Sequence, residues 1–168
     1  LLKAATGEDA SEEELGGAEM HATVSGLCEY LAEDDADGIR LAREVLAKLD
    51  WNRDIRPEQK SVPQKQGMAL VAAPRRDIDE LLGLVPLDTK KPYNVREVIA
   101  RIVDASDFLE FKAGYAPDTV GGHARLHGHA VGILGNNGPI QPDGSTKAAQ
   151  FIQLCDQSGT PLVFLQNT

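Results

Sequence analysis

Residues 123–138 read His123-Ala-Arg-Leu-His-Gly-His-Ala-Val-Gly-Ile-Leu-Gly-Asn-Asn-Gly138, followed by Lys147-Ala-Ala-Gln-Phe-Ile-Gln-Leu-Cys-Asp156 and Pro161-Leu-Val-Phe-Leu-Gln-Asn167. His123 to His127 and Ala130 to Leu134 predict two strands around Gly128-His129, a Gly-x pair suited to a two-residue type II′ turn. Asn136-Asn137-Gly138-Pro139 carries the turn chemistry that ends the second strand. Ala148, Phe151, Ile152 and Cys155 then recur at helical spacing, and Ser158-Gly159 is a stop signal. Leu162 to Leu165 is a continuous apolar run, as in strands covered on both faces. The order β-β-α-β predicts an α/β layered fold.

Upstream, Asn94 caps a predicted helix with Glu97 at its third position, and Val95, Val98, Ile99, Ile102 and Val103 form its buried face. Phe108 and Phe111 suggest a further helical turn. From Trp51 to Pro92 the chain carries Pro57, Pro63, Pro74, Pro86 and Pro92 among many charges, with one short helical candidate at Ile78 to Leu82. Such a composition predicts a linker or domain crossover. From about Asp35 to Leu49 a helix is expected with Ile39, Ala42, Leu46 and Leu49 on one face, acids at its start and Lys48 at its end, matching the helix dipole. Ser11-Glu-Glu-Glu14 has the form of a capping box, and Gly16-Gly17 should end that helix at once.

The 168 residues are 42% hydrophobic and 26% charged, an ordinary globular composition. A net charge of −9 argues against nucleic acid or an anionic membrane as the main partner, since phosphate binding needs concentrated Lys and Arg. No apolar run approaches the roughly 20 residues of a spanning helix, and no basic stretch leading into an apolar one suggests export. Cys28 and Cys155 lack metal-type spacing and read as two buried thiols in a reduced compartment. The start at Leu1 without Met, and an end where a buried strand should hand over to a loop, lead us to expect a segment of a longer protein.

Three stretches together resemble one family. The first is Lys3-Ala-Ala-Thr-Gly-Glu8 with Glu14-Leu-Gly-Gly-Ala18, His21, Ser25-Gly26 and Ala32-Glu-Asp-Asp35. The second is Pro92-Tyr-Asn-Val-Arg-Glu-Val-Ile-Ala-Arg-Ile-Val-Asp104 with Phe108-Leu-Glu-Phe-Lys112, and the third is the stretch quoted at the outset. In order and spacing they are similar to the carboxyltransferase (β) subunits of biotin-dependent acyl-CoA carboxylases, in particular the methylcrotonyl-CoA and geranyl-CoA carboxylase group. The chain departs from the usual pattern at Ala130, where the family often has Pro, at His123, where an aromatic is common, and at Ala148, where Gly is frequent.

The resemblance implies a ClpP/crotonase-like fold of layered β-β-α units, here partial. It implies that residues 1–50 end an N-terminal, acyl-CoA-binding domain, that 51–91 link, and that 92–168 begin a C-terminal, biotin-side domain. It further implies an enzyme that moves a carboxyl group from carboxybiotin to an acyl-CoA through enolates, whose full-length subunit forms a homo-oligomer. Biotin would be carried by a biotin-carboxylase/biotin-carrier partner, in the bacterial cytoplasm or the mitochondrial matrix. Enolates demand oxyanion holes, each backbone donor typically worth about 3 kcal/mol. In the family these come from small-residue pairs at helix starts expected outside this segment, so no catalytic residue is expected within it and the segment alone should be inactive.

On the acyl-CoA side the candidates are Thr6, Gly7, His21 and Ser25. His21 with Ser25 could be a base and nucleophile, but no acidic orienter is identifiable, so a structural or pocket-lining role is expected. On the biotin side they are Asn136, Asn137, Gly138, Asn167 and Thr168, because α/β folds place ligands at the carboxyl ends of strands. Simple turn chemistry competes for Asn136 to Gly138. His123, His127 and His129 share parity, yet without an acid or Cys in register they are expected to be surface or turn histidines, and no metal site is expected. Lys147, in the first turn of its helix, is either solvated or held by a carboxylate or ligand. Two alternatives stay open: a crotonase-fold, biotin-linked acyl-CoA decarboxylase, and a non-catalytic assembly fragment.

Overall fold

The computed structural model describes residues 2–48, 71–88 and 91–166. Four strands, β1 (Phe108–Phe111), β2 (Thr119–Leu126), β3 (His129–Asn136) and β4 (Leu162–Leu165), form one sheet in that order. β1, β2 and β3 pair antiparallel, and β4 joins β3 in parallel. The parallel pair needs a crossover, which is α7 (Pro142–Ser158). The unit is therefore β-β-β-α-β, one strand more than the sequence suggested. The extra strand is β1, where a helical turn was expected at Phe108 and Phe111. That spacing of three also fits a strand once Leu109 and Phe111 point to one face and Phe108 and Glu110 to the other.

The hairpin turn also differs from expectation. Leu126 pairs with His129, so the turn residues are His127 and Gly128, with φ of +49° and +80°. Two positive φ values define a type I′ turn, which suits the twist of the flanking strands. The Asp104 carboxylate accepts from both turn amides, His127 N–H at 2.9 Å and Gly128 N–H at 2.6 Å, an outside contact that local sequence does not show. Asn136, expected in the following loop, is the last residue of β3.

Side-chain alternation divides the core. One face of the sheet, Val120, Ala124, Val131 and Ile133, packs on Val95, Ile99 and Val103 of α6 (Val95–Ile102) and its C-cap. The other face receives α7 through Phe151 and Cys155, with Phe111 beside them. Each such large side chain contributes roughly 1.5–3 kcal/mol by burial. The buried stripe of α7 is Gly144, Lys147, Phe151 and Cys155, so Lys147 replaces Ile152, which is 38% exposed. In β4, expected to be covered on both faces, Phe164 is 58% exposed, because α6 and α7 lie over β2 and β3.

The N-terminal elements are α1 (Leu2–Thr6), α2 (Glu12–Gly16), α3 (Ala18–Thr23) and α4 (Asp35–Lys48). The Ser11 capping box forms as read, and α2 ends at Gly17. In α4 the predicted face is turned outward: Ile39 and Leu46 are 65% and 55% exposed. The inner side is instead Leu41, Val45 and Lys48, and Lys48 pairs with Asp107 beside β1. Leu49 lies outside the described residues. Between the two parts, Ile78–Glu80 forms a 3₁₀ turn leading into α5 (Leu81–Leu84), and Glu80 bonds Arg101 at 2.6 Å.

Candidate functional site

The parallel strands β3 and β4 end at the same edge of the sheet, where the chain leaves β3 through Asn136, Asn137 and Gly138. Asn136 Nδ2 donates to the Gly138 carbonyl at 2.9 Å. Asn137 Oδ1 accepts from Val95 N–H at 2.7 Å, and its own N–H donates to the Asp118 carbonyl at 2.8 Å. Asn137 thus caps the first amide of α6 while Asn94 caps Arg96 N–H, so two of the free donors of that helix start are satisfied. The three residues form one ordered lip with the start of α6, and turn chemistry accounts for their internal bonds. Asn167 and Thr168 lie outside the described residues.

The acyl-CoA-side candidates divide. His21 Nδ1 and Ser25 Oγ are 2.8 Å apart at the end of α3, and Cys28 N–H returns to the His21 carbonyl at 3.2 Å. Ser25 is exposed and His21 half-buried, so the pair lies at the surface and not in the core. Thr6 and Gly7 sit at the end of α1, where Thr6 Oγ1 accepts from Glu8 N–H at 3.3 Å. Gly7 N–H donates to the Lys3 carbonyl at 3.0 Å, a local turn bond.

Between this turn, the sheet and α7 lies a cleft of about 570 Å³, lined by Tyr30, Phe111, His123, Gln150, Gln153 and Gln157 among others. The three glutamines fall on one face of α7. Burial pushes the Tyr30 phenol up to about 12, which keeps it a neutral hydroxyl.

His123, expected at the surface, is 4% exposed. Its ring meets Phe151 edge-on at 5.2 Å, the place of an aromatic side chain, and its Nε2 is buried without a protein partner. Burial and the Lys48 charge hold its pKa below the usual histidine range, so it is neutral at pH 7. His127 and His129 are exposed at the hairpin. Among the described residues no group of three or more His, Cys, Asp or Glu could hold a metal ion. Cys28 and Cys155 are free thiols, Cys28 only half-buried.

Two buried lysines matter more than the sequence suggested. Lys147 is fully buried, and its Nζ donates to the Tyr115 carbonyl at 2.8 Å and the Ala116 carbonyl at 3.4 Å. Its partners are therefore backbone oxygens, neither solvent nor a carboxylate, and burial pushes its pKa down to about 8. Its place in line with Gly144, Phe151 and Cys155 is the signal that could have revealed this. Lys112 is 3% exposed and donates to the Gly26 carbonyl, a contact across 86 residues that no local pattern announces.

A layered sheet with helices on both faces, whose parallel strands end at one edge, is an α/β layout in which ligands commonly meet the carboxyl ends of strands. The sequence profile of the carboxyl transferase domain matches residues 1–168, and the chain belongs to that family. It is 48% identical to the probable biotin-dependent acyl-coenzyme A carboxylase beta2 subunit of Mycobacterium tuberculosis, over 100% of this chain and 30% of that protein. Among solved structures, the beta subunit of geranyl-CoA carboxylase from P. aeruginosa is 56% identical with a TM-score of 0.57, covering 97% of this chain and 30% of that one. The transcarboxylase 12S subunit, solved as a hexamer with methylmalonyl-coenzyme A, is 40% identical with a TM-score of 0.78, covering 97% and 31%. The fold is thus that of the crotonase-like carboxyltransferases. The chain spans about three-tenths of the length of these relatives.

Proposed function

We propose that this chain is a segment of the carboxyltransferase subunit of a biotin-dependent acyl-CoA carboxylase, which moves a carboxyl group from carboxybiotin to methylcrotonyl-, geranyl- or a related acyl-CoA. The observation that carries this reading is the family match along the whole chain, supported by the shared fold. Residues 1–50 then close the acyl-CoA domain, 51–91 connect, and 92–168 open the biotin-side domain. In this reading His21 and Ser25 shape the acyl-CoA side, with Thr6 and Gly7 near its border. Asn136, Asn137 and Gly138, continued by Asn167 and Thr168, form the biotin-side lip.

Biotin, held on a carrier partner, supplies an activated carboxyl group when bound. Asn136 Nδ2 and Asn137 Oδ1 are committed to the Gly138 carbonyl and the Val95 amide, so the lip would meet a ureido ring with an ordered edge and not with these two atoms. What these residues do is fix the loop against α6 and keep that edge ordered. The oxyanion donors for the enolates come from parts of the subunit outside residues 1–168. The full-length subunit works as a homo-oligomer with its biotin-carboxylase partner, in the bacterial cytoplasm or the mitochondrial matrix.

The test uses the full-length subunit with a competent biotinylated partner, ATP, labelled bicarbonate and a panel of short, branched and isoprenoid acyl-CoA thioesters. Acid-stable label is expected in at least one branched or isoprenoid product. Label in none of them contradicts the proposal.

A further inference from the structure

The turn after α3 is held from outside its own segment. Gly26 is buried with φ +66°, and a Cβ there would lie 2.8 Å from the Tyr115 ring. A Cβ on Gly114 would lie 3.2 Å from the Ala22 carbonyl. Two glycines therefore let the loop after β1 close on the end of α3. Across that contact Lys112 makes two bonds: its N–H donates to the Glu29 carbonyl at 3.0 Å, and its Nζ donates to the Gly26 carbonyl.

The loop that presents Lys112 is itself pinned. Lys112 and Ala116 have φ of +50° and +44°, values that cost a non-glycine residue energy unless neighbours enforce them. The enforcing groups are cations on its carbonyls: Lys147 on Tyr115 and Ala116, and Arg96 on Pro117 at 3.3 Å. Arg96 is in turn fixed by the Glu110 carboxylate through bonds of 2.7 and 2.6 Å. An apolar side chain could fill the space of Lys112 without the cost of burying an ammonium. The ammonium adds direction, since it fixes where the Gly26 carbonyl points.

We propose that Lys112 is a positioning residue for acyl-CoA binding: from the biotin-side sheet it holds the Gly26 turn, and thereby the His21–Ser25 pair, in the geometry the acyl thioester meets. This rests on the reading of His21 and Ser25 given above. The Lys112–Gly26 bond then joins the two halves of the chain beside the Lys112–Glu29 contacts and the Lys48–Asp107 pair.

The experiment compares wild-type, Lys112→Met and Lys112→Arg forms of the full-length subunit with its biotinylated partner. In Lys112→Met the KM for acyl-CoA should rise about tenfold or more, the scale of a lost charged hydrogen bond, while carboxyl loss from the carrier without acyl-CoA stays unchanged. Lys112→Arg, which keeps a donor, should recover most of the affinity. Amide exchange of residues 24–29 should be faster in Lys112→Met. Both the KM change and the faster exchange are required: a KM within twofold of wild type, or unchanged exchange, overturns the proposal. If the wild type carboxylates no acyl-CoA, the functional reading falls by itself, and exchange alone decides whether Lys112 fixes the turn.

Discussion

The Phe151 ring accounts for why β2 is bare at Gly121, where α7 crosses it, and a double-mutant cycle tests this. A Cβ on Gly121 would lie 3.2 Å from Phe151 Cδ1 and 3.2 Å from Leu134 Cδ1. Phe151 itself is fully buried, 5.5 Å from the Phe111 ring and 5.2 Å from His123. Phe151→Ala should cost about 3–5 kcal/mol, transfer and cavity terms together. Gly121→Ala alone should cost about 1–3 kcal/mol by overpacking. In the Phe151→Ala background the same methyl enters the vacated space, with only the flexible Leu134 terminus in its way, and should be neutral or stabilising by up to about 0.8 kcal/mol for the buried carbon. The pair should therefore be more stable than the sum of its parts by about 1–4 kcal/mol. Urea unfolding followed by far-UV circular dichroism, at constant m, measures all four corners. An equal cost of Gly121→Ala in both backgrounds would refute the reasoning.

Three further outcomes follow from single contacts. Lys147 binds its proton less tightly in the folded protein, with its pKa lowered from 10.5 to about 8, so unfolding takes up a proton between those values. Wild-type stability should accordingly rise with pH across that window, by up to about 1.4 kcal/mol per pH unit, relative to Lys147→Met; parallel pH profiles for the two proteins would count against it. Asn137→Ala removes the acceptor of Val95 N–H and should cost about 1 kcal/mol, with faster amide exchange at the start of α6. Asp104→Ala frees both hairpin amides and should cost about 1–3 kcal/mol, visible as a lower urea midpoint.

Local chemistry was legible where its partners are local. The Ser11–Glu14 capping box, the Asn94 cap, the Val95, Ile99, Ile102 and Val103 part of the α6 stripe and the end of α7 before Gly159 depend on residues within a few positions and formed as read, while Val98 lies outside the core cluster and Arg101 is buried. The errors share a different cause. Phe108 and Phe111 form a strand because β2 pairs with them, and the hairpin turn moved one residue because register places Leu126 opposite His129. Ile39 and Leu46 turn outward on a helix whose last residue, Lys48, pairs with Asp107, 59 residues away. At the candidate site, nearness in sequence revealed the His21–Ser25 pair and the Asn136–Gly138 loop. The lysines that organise the ground between them act on carbonyls 31 to 86 residues away, which no spacing rule encodes.

The most direct test of the account is a single turnover of the full-length subunit with a biotin carrier already carrying a labelled carboxyl group and an acyl-CoA acceptor. The account predicts that label leaves the carrier and appears in acid-stable carboxylated acyl-CoA in an amount matching the carrier consumed. Label that leaves only as carbon dioxide, or that stays on the carrier with every acyl-CoA offered, would contradict it.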